Sequence, residues 1–105
     1  MTLQNLKNLL LTIGPPVFHY FASGQTRNYI VWAEDGEGAS GHADNKKTTQ
    51  VISGTIDYFT KDEFDPVTEQ IQGKLNDSRI SWRLNSVRHE KETGYIHYEW
   101  TWEMI

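Results

Sequence analysis

Two histidines and a carboxylate near the C-terminus are the residues of this chain best suited to chemistry. His89 and His97 lie in segments that alternate with period two, and Glu99 follows His97 by two positions on the same face of a strand. Two imidazoles and a carboxylate can hold a transition metal. The segments "RISWRLNSVRHE" and "GYIHYEWTWEMI" are joined by "KETG", a hairpin loop ending in glycine. A register that sets Leu84 opposite Trp102, Trp82 opposite Met104 and Arg83 opposite Glu103 matches apolar to apolar and joins opposite charges. The same register sets His89 opposite His97 on the solvent side. Such a pair is more commonly two solvent-exposed strand histidines than a ligand set, and no metal or other cofactor is expected.

Other chemistries find less support. The stretch "DGEGASGHADNKK", residues 35–47, has Asp35 and Glu37 at the first and third positions of a calcium loop. Ala39, Ser40 and Lys46 then stand where a ligand, the invariant glycine and the bidentate Glu are needed. Its glycines lead to a strand instead of a helix, so a phosphate cradle also fails. His19 and His42 lie in unrelated segments. Serine, histidine and aspartate are all present, but no serine sits on a nucleophile elbow. The carboxylates of "KDEFD" are placed to start a helix. Nothing selects a reaction, and the expectation is a protein that is not an enzyme.

Composition narrows the field further. At 105 residues the chain is expected to be one domain, residues 1–105, with one modest core. A net charge of −4 argues against a specific nucleic-acid binder, which needs a basic surface. The absence of Cys excludes a disulfide framework and any thiolate chemistry. "LLLTI" is too short for a secretory signal and no cleavage pattern follows it, while no stretch nears the ~20 apolar residues of a membrane span. Hydrophobic content is modest at 37%, but four Trp, five Tyr and four Phe supply large rings for a core or an interface.

These residues must be positioned by a simple set of elements. Residues 2–13 read as a helix with Thr2 as N-cap and Leu3, Leu6, Leu10 and Ile13 on one stripe. Asn5 occupies the place where a capping box needs Glu or Gln, so no box is expected. Gly14 and Pro15-Pro16 stop the helix. "VFHYFA" is a short strand, "SGQTR" a turn and "NYIVWAE" a strand. "TTQVISGTIDYFT" alternates, with Ile52, Gly54, Ile56 and Tyr58 on one face and Ser53, Thr55 and Asp57 on the other. Gly54 within it signals a bulge or a close backbone approach. A second helix follows, with Asp65 as cap, Pro66 at its first position and a stripe of Phe64, Val67, Ile71 and Leu75 to cover a sheet. Trp100 and Trp102 share a face and are expected to roof the core, the alternative being an exposed ring that anchors a partner. The fold class is α+β, an antiparallel sheet of four to five strands with two helices packed on one face, in the order α-β-β-β-α-β-β.

Taken in order, the Leu-rich first helix, "YIVWAEDGEG", "HADNKKTTQVISGTIDYFTKDEFDPVTEQIQGKLND" and "ISWRLNSVRHEKETGYIHYEWTWEM" cover nearly the whole chain. This series resembles the small tail-completion (tail-terminator) proteins of long-tailed phages and prophages of Gram-positive bacteria. The resemblance implies an α+β structural subunit, without catalytic residues, that forms a closed ring, commonly a hexamer, at the head-proximal end of the virion tail. It implies assembly in the bacterial host cytoplasm, with the tail tube protein and a head-connector protein as partners and no membrane contact. Residues 35–47 would then be an assembly arm, with Asp35, Glu37, His42, Asp44, Asn45, Lys46 and Lys47 as its polar groups. A small metal- or ligand-binding enzyme and a peptide-binding adaptor using an exposed sheet edge are the alternatives.

Overall fold

The computed structural model describes residues 1–38, 42–43, 46–47 and 50–104, the two short pieces by backbone alone. The elements run α1 (Leu3–Leu11), β1 (Val17–His19), β2 (Tyr29–Glu37), β3 (His42–Ala43), β4 (Lys46–Lys47), β5 (Ile52–Thr60), α2 (Val67–Asn76), β6 (Ile80–His89) and β7 (Ile96–Met104). Five strands form one sheet in the order β1-β2-β5-β7-β6, and β3 pairs with β4 alone. The α+β class and the expected order of elements hold for the main sheet, with the β3–β4 pair added to it. The sheet is not purely antiparallel, because β1 runs parallel to β2. The reason lies in residues 20–28, which are too long for a tight hairpin and carry the chain back to the starting end of β1. Tyr95 secures this return, its hydroxyl lying 3.0 Å from the Gln25 carbonyl and 2.9 Å from that of Arg27.

Both helices use one face of the sheet. Leu6 and Leu10 of α1 and Ile71 and Leu75 of α2 are fully buried against Ile30, Trp32, Ile56, Tyr58, Trp100, Trp102 and Met104. Strand alternation places all seven sheet residues on that side. Trp100 reaches α2, donating its indole N–H to Gln72 Oε1 at 3.0 Å. Both tryptophans of "WTW" are therefore core residues. Gly54 lies between them and β2: a Cβ there would collide with the Ala33 carbonyl and stand 2.5 Å from Trp102 Cζ2. Beside it, β2 bulges between Glu34 and Gly36. Both expected meanings of a strand glycine apply at this point, a close approach on β5 and a bulge on its partner.

Capping differs from expectation at α1 and follows it at α2. Asn5 completes a capping box at α1: its N–H donates to Thr2 Oγ1 at 3.1 Å, and its Oδ1 accepts from Thr2 N–H at 3.0 Å. An amide oxygen on a shorter side chain reaches the N-cap as Glu or Gln would. At α2 the Asp65 carboxylate accepts from Val67 N–H at 2.9 Å, while Pro66 already has helical angles. Phe64 is not part of the α2 stripe. It precedes the helix at φ +58 and is 89% exposed.

The closing hairpin carries the largest correction. Trp82 faces Trp102, Leu84 faces Trp100 and Arg83 faces Thr101. A bulge between Leu84 and Ser86 then shifts the pairing by one, so that Arg88 faces His97 and His89 faces Ile96. One inserted residue moves every later side chain to the other face. His89 and His97 consequently lie on opposite sides of the sheet, and the pair expected from uninterrupted alternation does not exist.

Candidate functional site

The sheet face away from the helices is open, and its chemistry concentrates where β5, β7 and β6 meet. The floor is aromatic. Tyr29 stacks on Phe59 at 4.6 Å between centroids, Phe59 stacks on the His97 ring at 4.1 Å, and Tyr95 meets both Tyr29 and Phe59 edge-on. Lys61 closes one end, with its ammonium 4.2 Å from the Tyr95 ring centre and hydrogen-bonded to the Thr93 carbonyl. Offset and edge-on geometries suit the ring quadrupoles. They also explain how His97, on a face no helix covers, is only 8% exposed.

Around this imidazole stand four polar groups. His97 Nε2 is 2.7 Å from Asp57 Oδ1. His97 Nδ1 lies 3.5 Å from Glu90 Oε2 and 3.4 Å from Arg88 Nη2. Glu99, two residues along β7, is the direct cross-strand partner of Asp57. Its Oε1 accepts from Asn85 Nδ2 at 2.8 Å, which ties the bulged residue of β6 to β7. Ligand atoms of Asp57, His97 and Glu99 lie within 4.8 Å of one another. Burial first, then the nearby Tyr95, Glu90 and Asp57, holds the Tyr29 phenol above its ordinary range. An Asp–His pair is two-thirds of a hydrolase triad. Here the second ring nitrogen faces Arg88 and Glu90, where a triad needs a hydroxyl nucleophile. The arrangement is suited to holding charge, not to acyl transfer.

A second histidine pair lies at the β1 edge. His19 Nε2 is 2.6 Å from Glu34 Oε1, and its ring is stacked between Tyr20 and Trp32 at 4.0 Å from each. Desolvation opposes ionisation of Glu34, but hydrogen bonds led by the one from His19 outweigh it and hold the carboxyl below its ordinary range.

The residues expected to form the assembly arm are divided by the structure. Asp35 and Glu37 are not in a loop but in β2, where Asp35 occupies the bulge and accepts from Ser53 Oγ at 3.2 Å. His42 and Lys47 are backbone partners in the β3–β4 pair, and Lys46 pairs with Ala43. Asp44 and Asn45 lie outside the described residues. The long polar connection is thus partly strand, because strand pairing satisfies backbone groups that a bare loop would leave to water. The structure brings together Asp57, Arg88 and Glu90 around His97, a combination not expected from sequence. The signal for Asp57 was present in the alternation of β5. The signal for Arg88 was the three-residue step from Leu84 to Val87, which breaks the period and marks the bulge.

No helix among the described residues is long and apolar enough to cross a membrane. No protein-family model matches the chain, and a search of curated proteins finds no match.

Proposed function

We propose that this chain is a structural subunit of a phage tail, a tail-completion protein that acts as a closed ring at the head-proximal end of the tail tube and takes part in head–tail joining. One observation carries the reading beyond the resemblance. The two edges of the sheet present different apolar surfaces. At the β6 edge, Leu84 and Val87 are 41% and 49% exposed, on the helix-bearing side but beyond the helices. Beside β1, Tyr20 and Phe21 are 57% and 76% exposed. Unlike surfaces on opposite edges favour heterologous, head-to-tail contacts, which either close into a ring or run on as a filament. A terminator must close, since an open contact would prolong the tube. The strand edges themselves offer unpaired backbone groups to a neighbour. The polar arm between β2 and β5 supplies the groups that would contact the tube protein or the head connector. Nothing in this role requires catalysis.

Leu84→Asp combined with Val87→Asp tests the reading. Both side chains are substantially exposed, so the subunit should fold and melt close to the parent. Charged residues at the contact should abolish rings on tail ends seen by negative-stain imaging with labelled protein. Labelled subunits found as single copies, or spread along whole tails, would overturn the proposal.

A further inference from the structure

The geometry points to a binding site for one zinc-class transition-metal dication on the open sheet face, with Asp57, His97 and Glu99 as its ligands. The first argument is electrostatic. Asp57 and Glu99 are direct cross-strand partners, and like charges placed opposite one another destabilise a sheet. A dication between them converts that repulsion into attraction. The second argument is geometric. The three candidate ligand atoms come from adjacent central strands of a rigid sheet and already lie within 4.8 Å of one another. Tetrahedral zinc with bonds of about 2.0–2.2 Å needs them about 3.3 Å apart, which is within reach of small rotations about the side-chain bonds.

The third argument lies in the groups behind the ligands. A ligating histidine almost always directs its other N–H to a carboxylate or carbonyl, and ligating carboxylates are themselves hydrogen-bonded. Glu90 Oε2 faces His97 Nδ1 at 3.5 Å, and Asn85 holds Glu99 Oε1 at 2.8 Å. Phe59 fixes the plane of the imidazole by stacking. Without metal, Nε2 faces Asp57 at 2.7 Å and Nδ1 faces Arg88 at 3.4 Å. With metal, the Nε2 lone pair would face the cation, the ring proton would sit on Nδ1, and Glu90 would accept the hydrogen bond from it. One imidazole with two carboxylates suits zinc, cobalt or manganese better than magnesium or calcium, which prefer oxygen alone. Three protein ligands leave a fourth position for water. The site would clip β5 to β7, and it is independent of the ring proposed above.

Titration of the chelator-treated full chain with zinc chloride alone, followed by calorimetry and by long-range ¹H–¹⁵N spectra of the histidine rings, tests the site. One zinc per chain is expected, with the shift localised to His97 Nε2. Asp57→Asn and Glu99→Gln should each weaken binding by at least the roughly 10–100-fold that loss of an outer group costs. Arg88→Gln should tighten it, because a competing donor and a positive charge are removed. That gain has no counterpart in a purely structural role for these residues. His19→Ala and His42→Ala should bind as the parent does. Binding that is absent in the parent, unchanged in Asp57→Asn and Glu99→Gln, or lost instead with His19 or His42 would overturn the assignment.

Discussion

Replacing Asp65 with alanine removes the acceptor on which the start of α2 and the end of β5 converge. Its carboxylate takes hydrogen bonds of 2.6 Å from the hydroxyls of both Tyr58 and Thr60, and one of 2.9 Å from Val67 N–H. Tyr58 and Thr60 are fully buried, so neither hydroxyl can turn to water. Leaving a buried donor unsatisfied costs about 1–3 kcal/mol, and loss of a helix cap costs about 1 kcal/mol. Local rearrangement lets one hydroxyl find a new partner, so the sum comes to about 2–4 kcal/mol of a total near 5–15. At roughly 4–8 °C per kcal/mol for a domain of this size, the melting point should fall by roughly 10–30 °C. Asp65→Asn keeps the shape and one acceptor oxygen, and should cost less. The parent should also show a steeper acid limb than the Asn variant, which keeps the share of Glu34 but loses that of Asp65. Burial alone would push the Asp65 carboxyl up, but the bonds from Thr60, Tyr58 and Val67 prevail and hold it below its ordinary value of 3.8. A carboxyl depressed on folding contributes stability that is complete above its unfolded value and is lost as pH falls through the folded one. Thermal and urea denaturation followed by circular dichroism, from about neutral pH down to the folded pKa of Asp65, measures both effects. An alanine variant that melts with the parent would refute the reasoning, as would an acid limb unchanged in Asp65→Asn.

Gly54→Ala should destabilise by about 1–3 kcal/mol in urea denaturation, since its methyl group meets the Ala33 backbone and Trp102, despite the better strand propensity of alanine. Trp100→Ala should cost about 3–5 kcal/mol because a fully buried ring and its bond to Gln72 are lost, and Trp100→Phe clearly less; equal melting points for the two variants would place the ring outside the core.

Much of the architecture was legible in the chain itself. Period-two runs in β2, β5 and β7 and the leucine stripe of α1 are local consequences of burial on one face, so they identify the elements and most of the core. The side of the sheet on which Trp100, Trp102, Ile56 and Tyr58 lie follows from alternation alone. What alternation cannot carry is anything that depends on an exception to it. A single bulged residue, Asn85, sends His89 to one face and leaves His97 on the other, and the same bulge brings Arg88 beside the imidazole. The parallel pairing of β1 with β2 depends on where residues 20–28 turn back, a segment held by Tyr95, about seventy residues away in sequence. The cluster of Asp57, His97, Glu99 and Glu90 exists only once β5 and β7 are set side by side in register. No local pattern encodes which strands become neighbours: that is set by long-range packing, and the order β1-β2-β5-β7-β6 is the one in which both helices and both tryptophans share a single core.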